Sequence, residues 1–129
     1  MVSIGGLGGI TKNGKLKKEV KNIDKDIKKL LEEVEKDPFG RGLKYEEYIK
    51  LIEKILKEIE KHKKSLDKLY GFKPNDFPEL KMVEHLLRVY YEKLEEYKKG
   101  RTITIYYKWL EDWSQAVQTN WYKHKIKFK

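Results

Sequence analysis

Cysteine is absent from the 129 residues, which excludes a disulfide framework and any zinc site built on thiolates. Long apolar runs are absent too; a bilayer span needs about 20 apolar residues. Met1-Val2-Ser3-Ile4-Gly5-Gly6 lacks the charged and apolar regions of a secretory leader. The expectation is a chain with no transmembrane segment, soluble and intracellular, or packaged from inside a cell. Arg is confined to positions 41, 88 and 101, Gln to 115 and 118, and Asn to 13, 22, 75 and 120. Base edges are usually read by those three residue types, so their scarcity argues against a sequence-specific regulator. Acid is in deficit, with 30 Lys and Arg against 21 Asp and Glu, a net charge of +9. The charged residues are mostly Lys and Glu, the bias of proteins from hot environments, although an AT-rich genome also enriches Lys.

The length fits one domain, able to bury roughly two-thirds of the surface its unfolded chain exposes. Gly5, Gly6, Gly8, Gly9 and Gly14 crowd the beginning, and the remaining glycines stand at 40, 42, 71 and 100. Residues 1–14 therefore read as a flexible arm, and the later glycines as joints. Leu16, Val20, Ile23, Ile27, Leu30 and Val34 recur at spacings of three and four, the seam of a helix over about 15–36. Asp37-Pro38-Phe39-Gly40-Arg41-Gly42 ends it. A second seam, Tyr48, Ile52, Ile55, Ile59, His62, Leu66 and Leu69, predicts a helix over 43–70. Asp76 with Glu79 reads as a capping box that opens a third helix over 77–99, whose seam is Leu80, Val83, Leu87, Tyr90, Leu94 and Tyr97. Ile103, Tyr106, Leu110, Trp113 and Val117 predict a fourth over 103–121, although residues 102–106 also fit a short strand. The fold expected is all-α: an antiparallel four-helix bundle over 15–122, with a Gly-rich N-terminal arm and an extended basic C-terminal tail over 123–129. In that tail Lys123, Lys125, Lys127 and Lys129 alternate with His124, Ile126 and Phe128, which gives an extended strand one cationic and one apolar edge.

Catalytic chemistry finds little support. Gly9-Ile10-Thr11-Lys12-Asn13-Gly14-Lys15-Leu16 fits the first seven positions of a phosphate-binding loop, but Leu16 stands where Ser or Thr would hold magnesium, and no strand precedes it. Free amides where the helix opens near Lys15 remain a weaker candidate for a phosphate contact. His62, His85 and His124 lack the Glu-x-x-His spacing of bundle metal sites. His62 falls on an apolar seam and reads as a core or interhelical hydrogen-bonding residue. No catalytic residue, metal site, cofactor or small-molecule substrate is expected, and the chain reads as no enzyme.

Lysine carries the remaining signal. Lys50, Lys54, Lys57, Lys61, Lys64 and Lys68 make one face of the second helix, and Lys18, Lys21, Lys25 and Lys28 a shorter one on the first. Glu46, Glu53 and Glu60 stand four residues before Lys50, Lys57 and Lys64, so local pairing is expected to answer much of the charge on the second helix. The tail has four lysines and no acid. Contacts to a double-stranded DNA backbone are therefore assigned to Lys12, Lys15, Lys18, Lys21, Lys25, Lys28, Arg41, Lys123, Lys125, Lys127 and Lys129. Tyr107, Trp109, Trp121, Tyr122, Ile126 and Phe128 are assigned to a subunit interface, since aromatic residues favour such surfaces.

A glycine-rich basic arm, a helical bundle of hot-environment composition, an aromatic fourth helix and a lysine-only tail make a plan that resembles the major coat proteins of filamentous archaeal viruses, the rudivirus and lipothrixvirus family. The resemblance covers length and layout and carries no motif residue. It implies a helical-bundle core that wraps double-stranded DNA in A-form, and a helical filament built from dimers of this chain or of it with a paralogous coat subunit. The location it implies is the virion, or the host cytoplasm before assembly. Two other readings share the composition. A small DNA-associated chromosomal or regulatory protein would form a discrete dimer and protect a defined site, and a helical protein-binding adaptor or inhibitor would ignore DNA at physiological salt.

Overall fold

Leu16, Val20, Ile23, Ile27, Leu30 and Val34 are all buried on one side of α1, which runs Ile4–Lys36. A computed structural model describes the backbone at 4–38, 41–42, 44–100 and 106–128, and side chains at 14–38, 41–42, 44–73, 75–100 and 106–125. Within them lie α2 (Tyr45–Tyr70), a 3-10 turn (Pro74–Asp76), α3 (Pro78–Lys98) and α4 (Tyr107–Phe128). The described residues form four α-helices and no strand, and none of these helices is long and apolar enough to cross a membrane.

Each seam turns inward because residues three and four apart share a helix face. Ile52, Ile55, Ile59 and His62 of α2 are fully buried, as are Leu80, Val83 and Leu87 of α3 and Val117 of α4. α1 packs on α2, α2 on α3 and α3 on α4, and α4 returns to α1. Polar contacts fix the register. Down α1, Glu33, Asp26 and Glu19 meet Tyr48, Lys54 and Ser65 in turn, so numbers fall on one helix as they rise on the other. The same opposed order links Glu46 with Lys98, Glu53 with Tyr91, and Lys63 with Glu84 between α2 and α3.

The joints have separate causes. Beyond α1, the Asp37 carboxylate accepts hydrogen bonds from the amides of Arg41 and Gly42, at 2.7 and 2.8 Å. α2 ends on Gly71, whose φ of 70° is cheap only for glycine, and its amide donates to Asp67 O. Pro78 occupies the first turn of α3, where its missing N–H costs nothing.

Several sequence expectations need correction. The backbone is helical from Ile4, where an arm to residue 14 is expected, so Gly9 to Lys15 is a helical segment and not a phosphate-cradling loop. Amides there lie beyond the first turn and bond within the helix, which removes the free donors expected near Lys15. The C-terminal backbone is helical through Phe128 where an extended tail is expected. The helical seam Val117, Trp121 and His124 buries all three residues, and that burial outweighs the period-two pattern over the same stretch. Asp76 makes no capping box: its carboxylate accepts from the Lys73 amide at 2.7 Å, and Phe77 takes the N-cap position without a side-chain bond. Tyr106, assigned to the fourth seam, is 66% exposed, one residue before α4 begins. Ile103 and the alternative strand at its position lie outside the described residues.

Candidate nucleic-acid interface

The lysine faces come out on the surface, as the apolar seams require. Lys15, Lys18, Lys21, Lys25 and Lys28 are exposed on α1, and all six lysines of the α2 face are exposed. Their partners differ from the local pairs expected. Glu60 does pair with Lys64, at 3.3 Å, whereas Glu46 pairs with Lys98 and Glu53 accepts the Tyr91 hydroxyl. Interhelical geometry has taken those two carboxylates away from the α2 lysines.

Lys54 reaches across to Asp26, 3.0 Å away, beside Glu58. Burial and then the neighbouring Asp26 raise the pKa of the Glu58 carboxyl. Lys63 pairs with Glu84 at 2.9 Å. Asp24 gathers Lys28 at 3.2 Å and Lys125 at 3.1 Å. Among the described residues, Lys15, Lys18, Lys21 and Lys25 have no carboxylate within ion-pair distance.

The packing sorts the charge along the long axis. One end of the bundle comprises residues 12–24 of α1, 59–84 around the α2–α3 joint and 118–128 of α4. In sequence these segments hold fourteen lysines and seven acids, a net +7. The remaining segments, 25–58 and 85–117, balance to +1. No charged residue lies between Asp112 and Lys123, so the division does not depend on where α4 is cut.

The structure thus brings Lys15, Lys18, Lys21, Lys123 and Lys125 to one end, Lys125 being half-buried against Asp24. Lys25 and Lys28 lie farther along α1 in the balanced half, and Arg41 stands at the opposite end, in the α1–α2 joint. The side chains of Lys12, Lys127 and Lys129 lie outside the described residues.

Aromatic residues assigned to a subunit interface divide as well. Tyr107 and Tyr122 are 54% and 61% exposed. Trp109 packs on its own bundle, stacked on Trp113 with ring centroids 6.3 Å apart and capped by Lys93 Nζ at 4.6 Å. Trp121 is a core residue: it is 3% exposed and its indole N–H donates to Asp24 at 3.1 Å, so it is no surface anchor. The side chains of Ile126 and Phe128 lie outside the described residues. The same end also presents Tyr70, tilted against Phe72, and Phe72, edge-on to Phe77, both partly exposed.

A buried polar cluster under that end went unrecognised in the sequence. His62 Nε2 and His124 Nε2 are 3.3 Å apart, His62 Nδ1 is 3.9 Å from Glu19, and Ser65 donates to Glu19 at 3.0 Å. His62 belongs to the α2 seam, and it is buried there. His124, assigned to the tail, lies three residues after Trp121 and seven after Val117, a spacing that continues the α4 seam. Among the described residues no group of three or more His, Asp and Glu is arranged to hold a metal.

Comparison with protein-family models, with curated proteins and with solved structures finds no match for the chain.

Proposed function

We propose that this chain is a structural nucleoprotein, a coat subunit that binds the double-stranded DNA backbone without sequence specificity and assembles into a helical filament. The opposed order of the interhelical contacts supports an antiparallel bundle as its core. The observation that carries the reading is the concentration of net charge at one end, +7 against +1, with Lys15, Lys18 and Lys21 exposed and unanswered there. Such a surface neutralises phosphates without reading bases, and the scarcity of Arg, Asn and Gln fits that mode.

Each subunit supplies a few weak contacts, and a row of joined subunits turns them into tight coating. No catalytic step is needed, and the buried His62–His124 cluster is shut off from substrate by its own core. A virion of the filamentous archaeal type is the assembly that this plan fits best.

A helical protein-binding adaptor is the second reading, favoured by one observation: a groove between α1 and α4, with exposed Tyr107 at its edge. Negative-stain microscopy with and without linear double-stranded DNA, at low and at raised salt, separates the two. DNA-dependent filaments that weaken with salt are the expected result. Discrete particles that retain no DNA at about 150 mM salt would overturn the coat assignment in favour of the adaptor.

A further inference from the structure

Of the four helix pairs in close contact, α1 and α4 pack most loosely, and a groove of about 440 Å³ opens between them. Leu31 and Val34 of α1 and Leu110 of α4 give it an aliphatic lining. Carboxylates stand on both banks, Glu32 and Glu35 on α1 and Glu111 on α4. The neighbouring lysines are engaged elsewhere: Lys28, which also lines the groove, by Asp24 at 3.2 Å, Lys36 by Glu33 at 3.8 Å, and Lys108 by Asp112 at 3.1 Å. Among the described residues, none of the three groove carboxylates lies within ion-pair distance of a Lys or Arg. A chain of net charge +9 repels a polycation at a distance, so affinity for one has to come from a local reversal of sign, and this groove is one.

Size and charge placement narrow the occupant. The volume is that of a small-molecule site, whereas a specific protein partner buries about 1,200 Å² or more in total, far beyond a lining of three aliphatic side chains. The carboxylates do not converge: among the described residues no group of three or more His, Asp and Glu is arranged to hold a metal ion. One compact cation therefore leaves a bank unanswered, and an alkyl chain with a single ammonium group does the same. A flexible chain of methylenes with an ammonium group toward each end meets the whole lining. Its methylenes cover Leu31, Val34 and Leu110, and its charges reach Glu32 or Glu35 on one bank and Glu111 on the other.

We propose that the α1–α4 groove binds a linear aliphatic polyamine. This goes beyond the coat reading and does not rest on it, since the groove carboxylates are separate from the lysines assigned to phosphate, apart from Lys28 at its edge. The selectivity is for spacing as well as charge: two cationic centres joined by methylenes bind, and the same charge on one compact ion does not.

Isothermal titration calorimetry of the full-length protein with spermidine, without DNA and at low salt, tests this. Saturable binding of one molecule per chain is expected. Hexaamminecobalt(III), which carries the same charge on a compact ion, and butylamine, which carries one charge, are each expected to bind about tenfold more weakly. Glu32→Gln with Glu35→Gln is expected to weaken spermidine about tenfold, and Glu111→Gln, a milder variant on the other bank, about threefold. Glu32 and Glu35 are exposed, so helical circular dichroism should be unchanged. Glu92→Gln with Glu96→Gln removes the same charge from an exposed face of α3 and is expected to leave binding as it is. No saturable binding of spermidine, equal binding of hexaamminecobalt(III), or equal weakening by the α3 pair would overturn the proposal. A Leu- and Lys-bearing amphipathic peptide that occupies the groove while spermidine does not would overturn it in favour of a protein partner.

Discussion

His62 Nε2 faces His124 Nε2 at 3.3 Å across the core, with the two rings nearly perpendicular and both residues buried. A hydrogen bond between two imidazole nitrogens needs one proton, so one ring must donate and the other accept. A second proton between the two nitrogens would turn the accepting ring into an imidazolium and set two N–H donors face to face, with Glu19 as a nearby carboxylate, Lys63 on α2 engaged by Glu84, and Lys125 on α4 engaged by Asp24.

This arrangement makes stability depend on mild acid. Burial, and then the proximity of His124, lowers the His62 pKa from 6.5 to about 4. The unfolded chain therefore binds a proton that the folded chain refuses, and stability rises with pH across this window. The His62 contribution is fully present above about 6.5 and is lost progressively down to about 4, on the order of 3 kcal/mol in all. Urea denaturation at pH 7, 5.5 and 4.5 measures it. His62→Phe is expected to flatten the dependence, and an unchanged slope would dissociate it from this pair.

Asp24 joins α1 to α4 by accepting from the Trp121 indole and pairing with Lys125 and with Lys28. Burial alone would raise its pKa, but the hydrogen bonds from Lys125, Lys28 and Trp121 outweigh that and hold it below 3.8. Its stabilisation is thus complete above that pH and lost as pH falls through the lowered value. Asp24→Ala is expected to cost about 1–3 kcal/mol at neutral pH, read from the urea midpoint. A loss below a few tenths would show that Trp121 holds its place by packing alone.

At the α1–α2 joint, a Cβ on Gly42 would stand 2.8 Å from Asp37 Oδ2, the oxygen that accepts the Gly42 amide. Gly42→Ala must displace that carboxylate and is expected to cost about 1 kcal/mol, less than Asp37→Ala, which loses the bonds from both the Arg41 and the Gly42 amides. In the double variant the two losses should fall short of their sum, because the second change removes a bond that is already weakened.

DNA affinity should depend on lysine position more than on lysine count. Changing Lys15, Lys18 and Lys21 together to Gln is expected to reduce the slope of log K against log salt by about 2–3. The same exchange at Lys50, Lys57 and Lys98, in the balanced half, should reduce it by less than 1. Fluorescence anisotropy across a salt series reads both, and equal slopes would remove the polarity from the binding mode.

Much of the fold is legible in the spacing of apolar residues. Leu16 to Val34, Tyr48 to Leu66 and Leu80 to Leu94 are buried where the period of three and four places them, because a helix has one face to give to the core. What misleads is local pattern that tertiary packing overrides. The alternation at the C-terminal end is compatible with a strand, but Trp121 and His124 gain more by continuing the α4 seam into the core. Trp121 reads as surplus aromatic surface until Asp24, 97 residues earlier, is seen to accept its N–H. The charge polarity escapes any count made helix by helix. The segments 15–36 and 44–70 each hold eight lysines against six acids, and only the opposed packing stacks their lysine-rich ends together. The Glu19–Ser65 and His62–His124 contacts join residues 46 and 62 positions apart, a relation that periodicity does not encode.

The uneven charge also gives the molecule an electrical direction. Two copies set side by side and pointing the same way bring like-charged ends together and repel; copies pointing opposite ways do not. A polyanion laid along the charged ends reverses that preference, because each phosphate row attracts both neighbours at once. In the coat proposed above, parallel alignment of the bundles would then be conditional on the anion.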